Sequence, residues 1–454
     1  VVNVRLSTDE HKAALAATID VHAPALCAFG DDIFTHPEIG FREMRTATQV
    51  AQALRALGLD VDEGLAITGV RATLRGARTG PTIAIVGELD GLPVPGHPHA
   101  DPATGVAHAC GHNAQLTHLL GVATALVQTD AARDLAGSIV FLAVPAEEYV
   151  DLAYRAELAR SGAIEFLGGK AELLRLGVFE GIDLAMLVHA SGIEGDVPLS
   201  LFWDYNGFVA KRAHFIGRAA HAGVAPHLGV NALAAARIAL DAIDLQRDTF
   251  RDEDHIRVHP IITHGGDAVN VVPADVRLET FVRGATLDAI ATAARTVDRA
   301  LCAGALAVGA SVEIETLPGY LPLAIDRELG ALFGRNAVAF TGRHGWAEWP
   351  LCAASTDAGD LSHIMPVLHP NHGGCTGTNH TVDFAIIDPV AAYITPAKVL
   401  AATVVDLLAD DAREARRIIA QFRPRLTRDA YLARMRELSV TVRYDGAAAA
   451  EHTC

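Results

Sequence analysis

The sequence predicts an α/β protein, a mixed-sheet domain with helices on both faces that carries a second α/β module inserted into it. Three observations predict this. Apolar runs of the kind found in strands buried on both faces alternate with helical patterns through the first part of the chain. Near Gly207 the strands change character, and polar and apolar residues begin to alternate along them. The order of elements from there is β-α-β-β-α-β, the ferredoxin-like signature.

Residues 8–34 read as a helix, and Glu43–Leu57 as another that stops at Gly58. Val70–Leu74 reads as a strand, and Thr82–Val86 as a buried one. Asn113–Gln128 is helical in pattern, and Ser138–Val144 and Leu184–Val188 are further buried strands. Functional groups gather at the carboxyl ends of strands in such sheets. Glu147, Glu148 and His189 all follow a strand end. In the second module Val209–Phe215 is a strand, Asn231–Leu245 a helix, and Arg257–Thr263 and Val276–Val282 strands. Leu287–Val308 is a helix and Val312–Glu315 the last strand. The domain expectation is therefore 1–206 with 319–454 for the first domain and 207–318 for the insert. Ala391–Leu408 is a late helix packing back on the first sheet, the Arg-rich 411–438 is helical, and 445–454 is a loose tail.

At 454 residues, 50% hydrophobic and 20% charged, the chain can bury a large core. A formal charge of −17, from 54 acidic against 37 basic residues, disfavours nucleic acid and acidic membrane surfaces as partners. No apolar run reads as both long and uninterrupted enough to span a bilayer. The opening Val1-Val2-Asn3-Val4-Arg5 lacks the features of a secretory signal. The six cysteines are scattered, without the spacing of a disulfide scaffold, so a cytoplasmic location is expected. Cys27, Cys302 and Cys352 read as small buried hydrophobes, Cys454 as part of an exposed tail, and Cys375 stays open.

The chemistry concentrates in a few places. Cys110 and His112 flank Gly111, whose freedom lets both side chains point one way. Glu147 and Glu148 end a buried strand, where adjacent carboxylates are costly unless a positive charge lies between them. Side chains of neighbours in extended backbone point to opposite sides, so one can ligate a metal while the other faces substrate. His189 follows a buried strand, and His380 sits in the small-residue loop Gly377-Thr378-Asn379-His380. One sulfur, three imidazoles and a carboxylate suit zinc, manganese, cobalt or nickel better than calcium or magnesium.

These residues resemble the M20 family of metallopeptidases and amidohydrolases, and within it the branch of aminobenzoyl-glutamate hydrolases, aminoacylases and auxin-conjugate hydrolases. The resemblance runs through His36-Pro37-Glu38-Ile39-Gly40-Phe41, Gly87-Glu88-Leu89-Asp90-Gly91-Leu92-Pro93 and His108-Ala109-Cys110-Gly111-His112-Asn113. It continues in Pro145-Ala146-Glu147-Glu148, Gly217-Arg218-Ala219-Ala220-His221-Ala222, Gly265–Pro273, Ser355–Asp360 and His380. It implies one or two divalent transition-metal ions per subunit, manganese or zinc ahead of cobalt or nickel. Cys110 would lie between two positions completed by His112, Glu148, His189 and His380. Glu147 would be the general base and acid, taking a proton from metal-bound water and passing it to the leaving nitrogen. His221 and Asn270 would stabilise the oxyanion, often from a partner subunit, and the insert would serve as a lid and dimerisation domain in a homodimer or larger homo-oligomer.

The implied function is hydrolysis of a C–N bond in a small molecule, the amide of an N-acyl amino acid or of an aromatic amine conjugate. Arg283 is a candidate for a substrate carboxylate and Tyr149 for an aromatic ring. Two alternatives are carried: displacement of an amino group from an activated aromatic amine such as 5-nitroanthranilate, and a non-catalytic metal-binding protein. The sequence departs from many relatives in two places. Asn113 and Gln115 stand where those relatives have Asp and His, which implies a weakly retained metal. A segment of extra residues, 149–170, follows the paired carboxylates and is expected either to reshape the pocket or to run over the surface.

Overall fold

The computed structural model describes residues 6–191 and 197–450; Cys454 lies outside them. The apolar run at Thr82–Val86 forms the heart of the strand Arg78–Glu88, which sits inside a six-stranded sheet. The sheet order is Val61–Leu65, Gly69–Arg75, Ala136–Val144, Arg78–Glu88, Leu184–Met186 and Val367–Leu368. The first two contacts in that order are antiparallel and the last three parallel, so the sheet is mixed, as the sequence predicts. The helix His112–Gln128 packs on the strand Arg78–Glu88 and is buried along nearly its whole length. The long helical segment from Thr395 packs on the same strand and breaks at Ala409–Ala412, where Asp410, Asp411 and Ala412 adopt positive φ.

The chain divides into two compact units. The first holds residues up to Trp203, Ala324–Pro350 and Asp360–Thr427; the second holds Asp204–Leu323, Leu351–Gly359 and residues from Arg428 onward. In the second unit the strands run Arg257–Val258, Asp275–Gly284, Gly207–Ile216, Ser311–Pro318 and Val440–Asp445, with Ile261–His264 also on Asp275–Gly284. Helices Ala232–Asp244 and Leu287–Val308 pack on this sheet through an alanine-rich core.

Several expectations change in detail. The strand expected over Arg257–Thr263 is two short strands, because Pro260 between them offers no N–H to a ladder. The strand Val440–Asp445, for which no element was expected, pairs with Thr316–Ser311, and the tail expected to be loose over 445–454 begins with the helix Gly446–Ala450. Leu184–Met186 ends early, and His189–Ala190 is a separate strand paired with Asn371–His372. Two helices, Thr8–Phe34 and the stretch Val390–Gln421, are long and apolar enough to cross a bilayer by length and composition. The second is largely buried inside its unit. Cys27, Cys302 and Cys352 are half-buried rather than buried.

Candidate metal centre

Asp90 organises the site. Its backbone carbonyl, just past the end of the strand Arg78–Glu88, accepts from His112 Nδ1 at 2.7 Å. Its carboxylate accepts the N–H groups of Glu147 at 3.1 Å and Glu148 at 2.9 Å. These two follow Ala146, whose φ of +53° turns the chain sharply after the strand Ala136–Val144. Because a carbonyl can only accept, His112 Nδ1 carries a proton, and Nε2 is the ring nitrogen that faces the other donors.

The other donors converge on Cys110. Gly111, at φ +81°, starts the helix His112–Gln128, and a Cβ there would lie 2.4 Å from that of Ala190. Cys110 Sγ lies 3.3 Å from His189 Nε2 and 3.3 Å from His380 Nε2. His380, at φ +68°, is fixed by its N–H to the Ala109 carbonyl at 2.8 Å, and its Nε2 lies 3.1 Å from Glu148 Oε1. His189 Nδ1 donates to the Ala190 carbonyl at 2.7 Å, so Nε2 is the ring nitrogen that faces Cys110. Ligand atoms fall into three groups, each within 4.8 Å: Cys110 with His112 and His189, Cys110 with Glu148 and His380, and Glu88 with His112 and Glu147.

Electrostatics within the cluster are strong. Burial and the Glu148 carboxylate push the Cys110 thiol up, but His189, His380 and His112 outweigh both and bring it down to about 5. Burial works against ionisation of Glu148 too, yet His380 above all holds it at about 2. The Glu148 carboxylate in turn raises His380 to about 11. A thiolate, carboxylates and imidazoles in one cleft form a donor set suited to a transition-metal cation. His112 Nε2 and Glu148 Oε1 are buried and make no aligned hydrogen bond among the described residues, though they lie 3.0 Å from Glu88 Oε2 and 3.1 Å from His380 Nε2.

The structure therefore gathers Cys110, His112, Glu147, Glu148, His189 and His380, all from the first unit. His221 and Asn270 belong to the second unit. There they adjoin one another: His221 bridges to Val271, and Ala222 N–H donates to the Asn270 carbonyl at 2.9 Å. Both are exposed. His221 Nδ1 accepts from the N–H groups of Gly223 and Val224, each at 3.1 Å, which leaves Nε2 as the donor. Arg283 lies in the second unit over the rings of Phe208 and Phe281, at 5.3 and 5.4 Å from their centroids. Tyr149 is 4% exposed and packs 5.8 Å from the Arg155 guanidinium, inside the extra segment.

One expectation is corrected. Asn113 does not support the metal ligands; its amide donates to Gly30 O at 3.2 Å and to Tyr393 Oη at 2.9 Å. His112 is oriented by the Asp90 carbonyl instead. Residues 149–170 run partly over the surface, with Glu157, Arg160 and Ser161 exposed, but are anchored inward. Arg155 is fully buried and donates to the carbonyls of Leu167 at 2.6 Å, Ala146 at 3.3 Å and, closely, Glu148. Lys170, at the other end, reaches Glu88 Oε1 at 2.5 Å with both groups fully buried.

Glu88, Asp90, Arg155 and Lys170 have no site role in the sequence reading. Glu88 carries a signal like that of Glu147, a carboxylate at or just past the end of a buried apolar run. The two basic residues carry none, because nothing in the sequence marks their burial.

The model of "Peptidase family M20/M25/M40" matches residues 84–406. A mouse (Mus musculus) "Xaa-Arg dipeptidase" is 28% identical over 87% of this chain and 89% of its own length. An "N-acyl-L-amino acid amidohydrolase" of Geobacillus stearothermophilus is 28% identical over 74% of this chain and 87% of its own. A Bacillus subtilis structure described as a "dinuclear metal binding peptidase from M20 family" superposes with a TM-score of 0.63 at 21% identity, covering 86% of this chain and 99% of its own.

Proposed function

Because this chain belongs to the M20/M25/M40 peptidase family, hydrolases of amide and peptide C–N bonds, we propose that it hydrolyses the amide of a small N-acyl amino acid or dipeptide. The observation that carries the reading is the shared sulfur: Cys110 Sγ stands 3.3 Å from an imidazole on each side, so two donor trios meet at one thiolate. Cys110, His112 and His189 would hold one divalent ion, and Cys110, Glu148 and His380 a second. When bound, such ions polarise a carbonyl and lower the pKa of water. Manganese and zinc fit the donors, with cobalt and nickel as substitutes.

The protein's own groups do the rest. Glu147 Oε2, 3.7 Å from His112 Nε2, removes a proton from the attacking water and returns it to the leaving nitrogen. His221 Nε2–H and the Asn270 amide donate to the oxyanion, and Arg283 holds a substrate carboxylate. The second unit acts as lid and self-association module. Glu147→Gln should leave metal content unchanged and lower kcat by a factor of roughly 10²–10⁴. His221→Ala should do the same with a factor of about 10². The test measures metal content beside turnover of N-acyl amino acids, dipeptides and aryl amides, reading free amine and ammonia separately. Undiminished turnover by Glu147→Gln would remove its role. Ammonia without an acyl product would replace amide cleavage by displacement of an aromatic amino group.

A further inference from the structure

The loop that carries His380 is locked from within. Gly377 sits at φ +72°, where a Cβ would lie 2.4 Å from the Asp383 backbone. The Thr378 carbonyl accepts both the N–H and the hydroxyl of Thr381, at 3.2 and 2.7 Å. On the far side of the loop His97 Nε2 donates to the Phe384 carbonyl at 2.8 Å. These bonds fix the shape of the loop, but a ligand must also be held against the other ligands. The His380 N–H on the Ala109 carbonyl makes one such tie. The side chain just before it, Asn379, makes further ones.

The Asn379 amide donates to the Ala190 carbonyl at 3.1 Å, to the Cys110 carbonyl at 3.3 Å and, at longer range, to Cys110 Sγ at 3.8 Å. Both carbonyls can only accept, so the amide nitrogen is the end that faces them. The Ala190 carbonyl is also the acceptor of His189 Nδ1, at 2.7 Å. A carbonyl oxygen has two lone pairs; here the imidazole and the amide share one oxygen. The atom that sets the His189 ring is therefore itself held from the His380 loop. One neutral side chain thus meets the backbone and sulfur of Cys110, the support of His189 and, through the chain, His380. It joins segments that lie 270 residues apart in sequence and adds no charge to the cleft.

We propose that Asn379 is the positioning residue that aligns Cys110, His189 and His380, and that its amide also tempers the shared sulfur. The proposal rests on the reading that these residues hold divalent ions. Orienting donors behind the ligands govern how tightly a site keeps its metal. Because the sulfur is common to both donor trios, loss of the amide weakens both positions together. An N–H aimed at the sulfur also draws electron density from it, so the sulfur donates less to an ion than it would alone.

The test is titration of the metal-free protein with Co(II), followed by absorption spectroscopy and thermal unfolding. A sulfur-to-Co(II) charge-transfer band reports Cys110 in wild type. N379L keeps the bulk of the side chain and removes its donors. It should bind Co(II) about 10–100-fold more weakly, and its charge-transfer band should move to lower energy, since a sulfur without the N–H gives up electron density more readily. N379A should do the same, and it decides the matter should N379L fail to fold. A side chain that only packs the loop would shift the melting temperature and leave the band where it is. A band at the wild-type energy in the folded variant, or wild-type affinity, therefore overturns the proposal. Absence of the band from wild type is a different failure, seen before any substitution. It would sink the reading that Cys110 holds an ion, and the role of Asn379 with it.

Discussion

Asp90 shows how much one side chain can set. Through three oxygens it fixes the His112 tautomer and the backbone of both paired glutamates, so ligands from separate segments share one reference point. A neighbouring carboxyl bears the electrostatic cost. Glu43 accepts from Ala146 N–H at 2.8 Å and from Thr68 Oγ1 at 2.7 Å, while burial and the charge of Asp90 raise it from 4.5 to about 7. Below pH 4.5 it is protonated whether the chain is folded or not. As pH rises, the unfolded chain ionises first, so stability is lost up to about pH 7. Glu43→Gln should therefore gain up to about 3 kcal/mol over wild type above that window and nothing below it. Urea unfolding of both proteins across the window checks this, and parallel profiles would show that Glu43 ionises as freely folded as unfolded.

At the scale of elements, the extra segment 149–170 is a brace for the turn that carries Glu147 and Glu148. Arg155 ties the Ala146, Glu148 and Leu167 carbonyls together with a planar fork of donors that lysine cannot reproduce. Arg155→Lys should lower stability by a few kcal/mol and metal affinity by about 10–100-fold. Calorimetric unfolding with a metal titration would separate the two effects; lost stability at full affinity would reduce the segment to packing. This segment also marks where sequence reading stops. Cys110, His112, Glu147, Glu148, His189 and His380 were legible because each follows a strand end or sits in a turn, and because ionisable groups are rarely placed at the end of a buried strand without a partner. Arg155 and Lys170 were not, since a charged side chain reads as solvated until its buried partners are known. Asn113 misled for a related reason: its neighbour in sequence is His112, but its partners, Gly30 and Tyr393, come from distant helical segments. The strand Val440–Asp445 had a signal, the alternation of Val440, Val442 and Tyr444, masked by the alanine run beside it.

At the scale of the whole molecule, the sheet of the second unit is closed at one side by a strand from the far end of the chain. Val440–Asp445 covers the edge of Ser311–Pro318 along Thr316 to Ser311. Truncation after Thr427 should bare that edge and promote self-association, since unpaired strand edges template further pairing. Metal content should persist, because the six clustered residues belong to the first unit. Light scattering and metal analysis of the truncated protein check both; a monodisperse product of unchanged size would show that the edge needs no cover. The same arrangement has a bearing on biosynthesis. Cys110 leaves the ribosome 270 residues ahead of its partner His380, and the edge strand follows later still. Cys110 can therefore meet His112 and His189 early, whereas the group it forms with Glu148 and His380 closes only after residue 380 has left the ribosome.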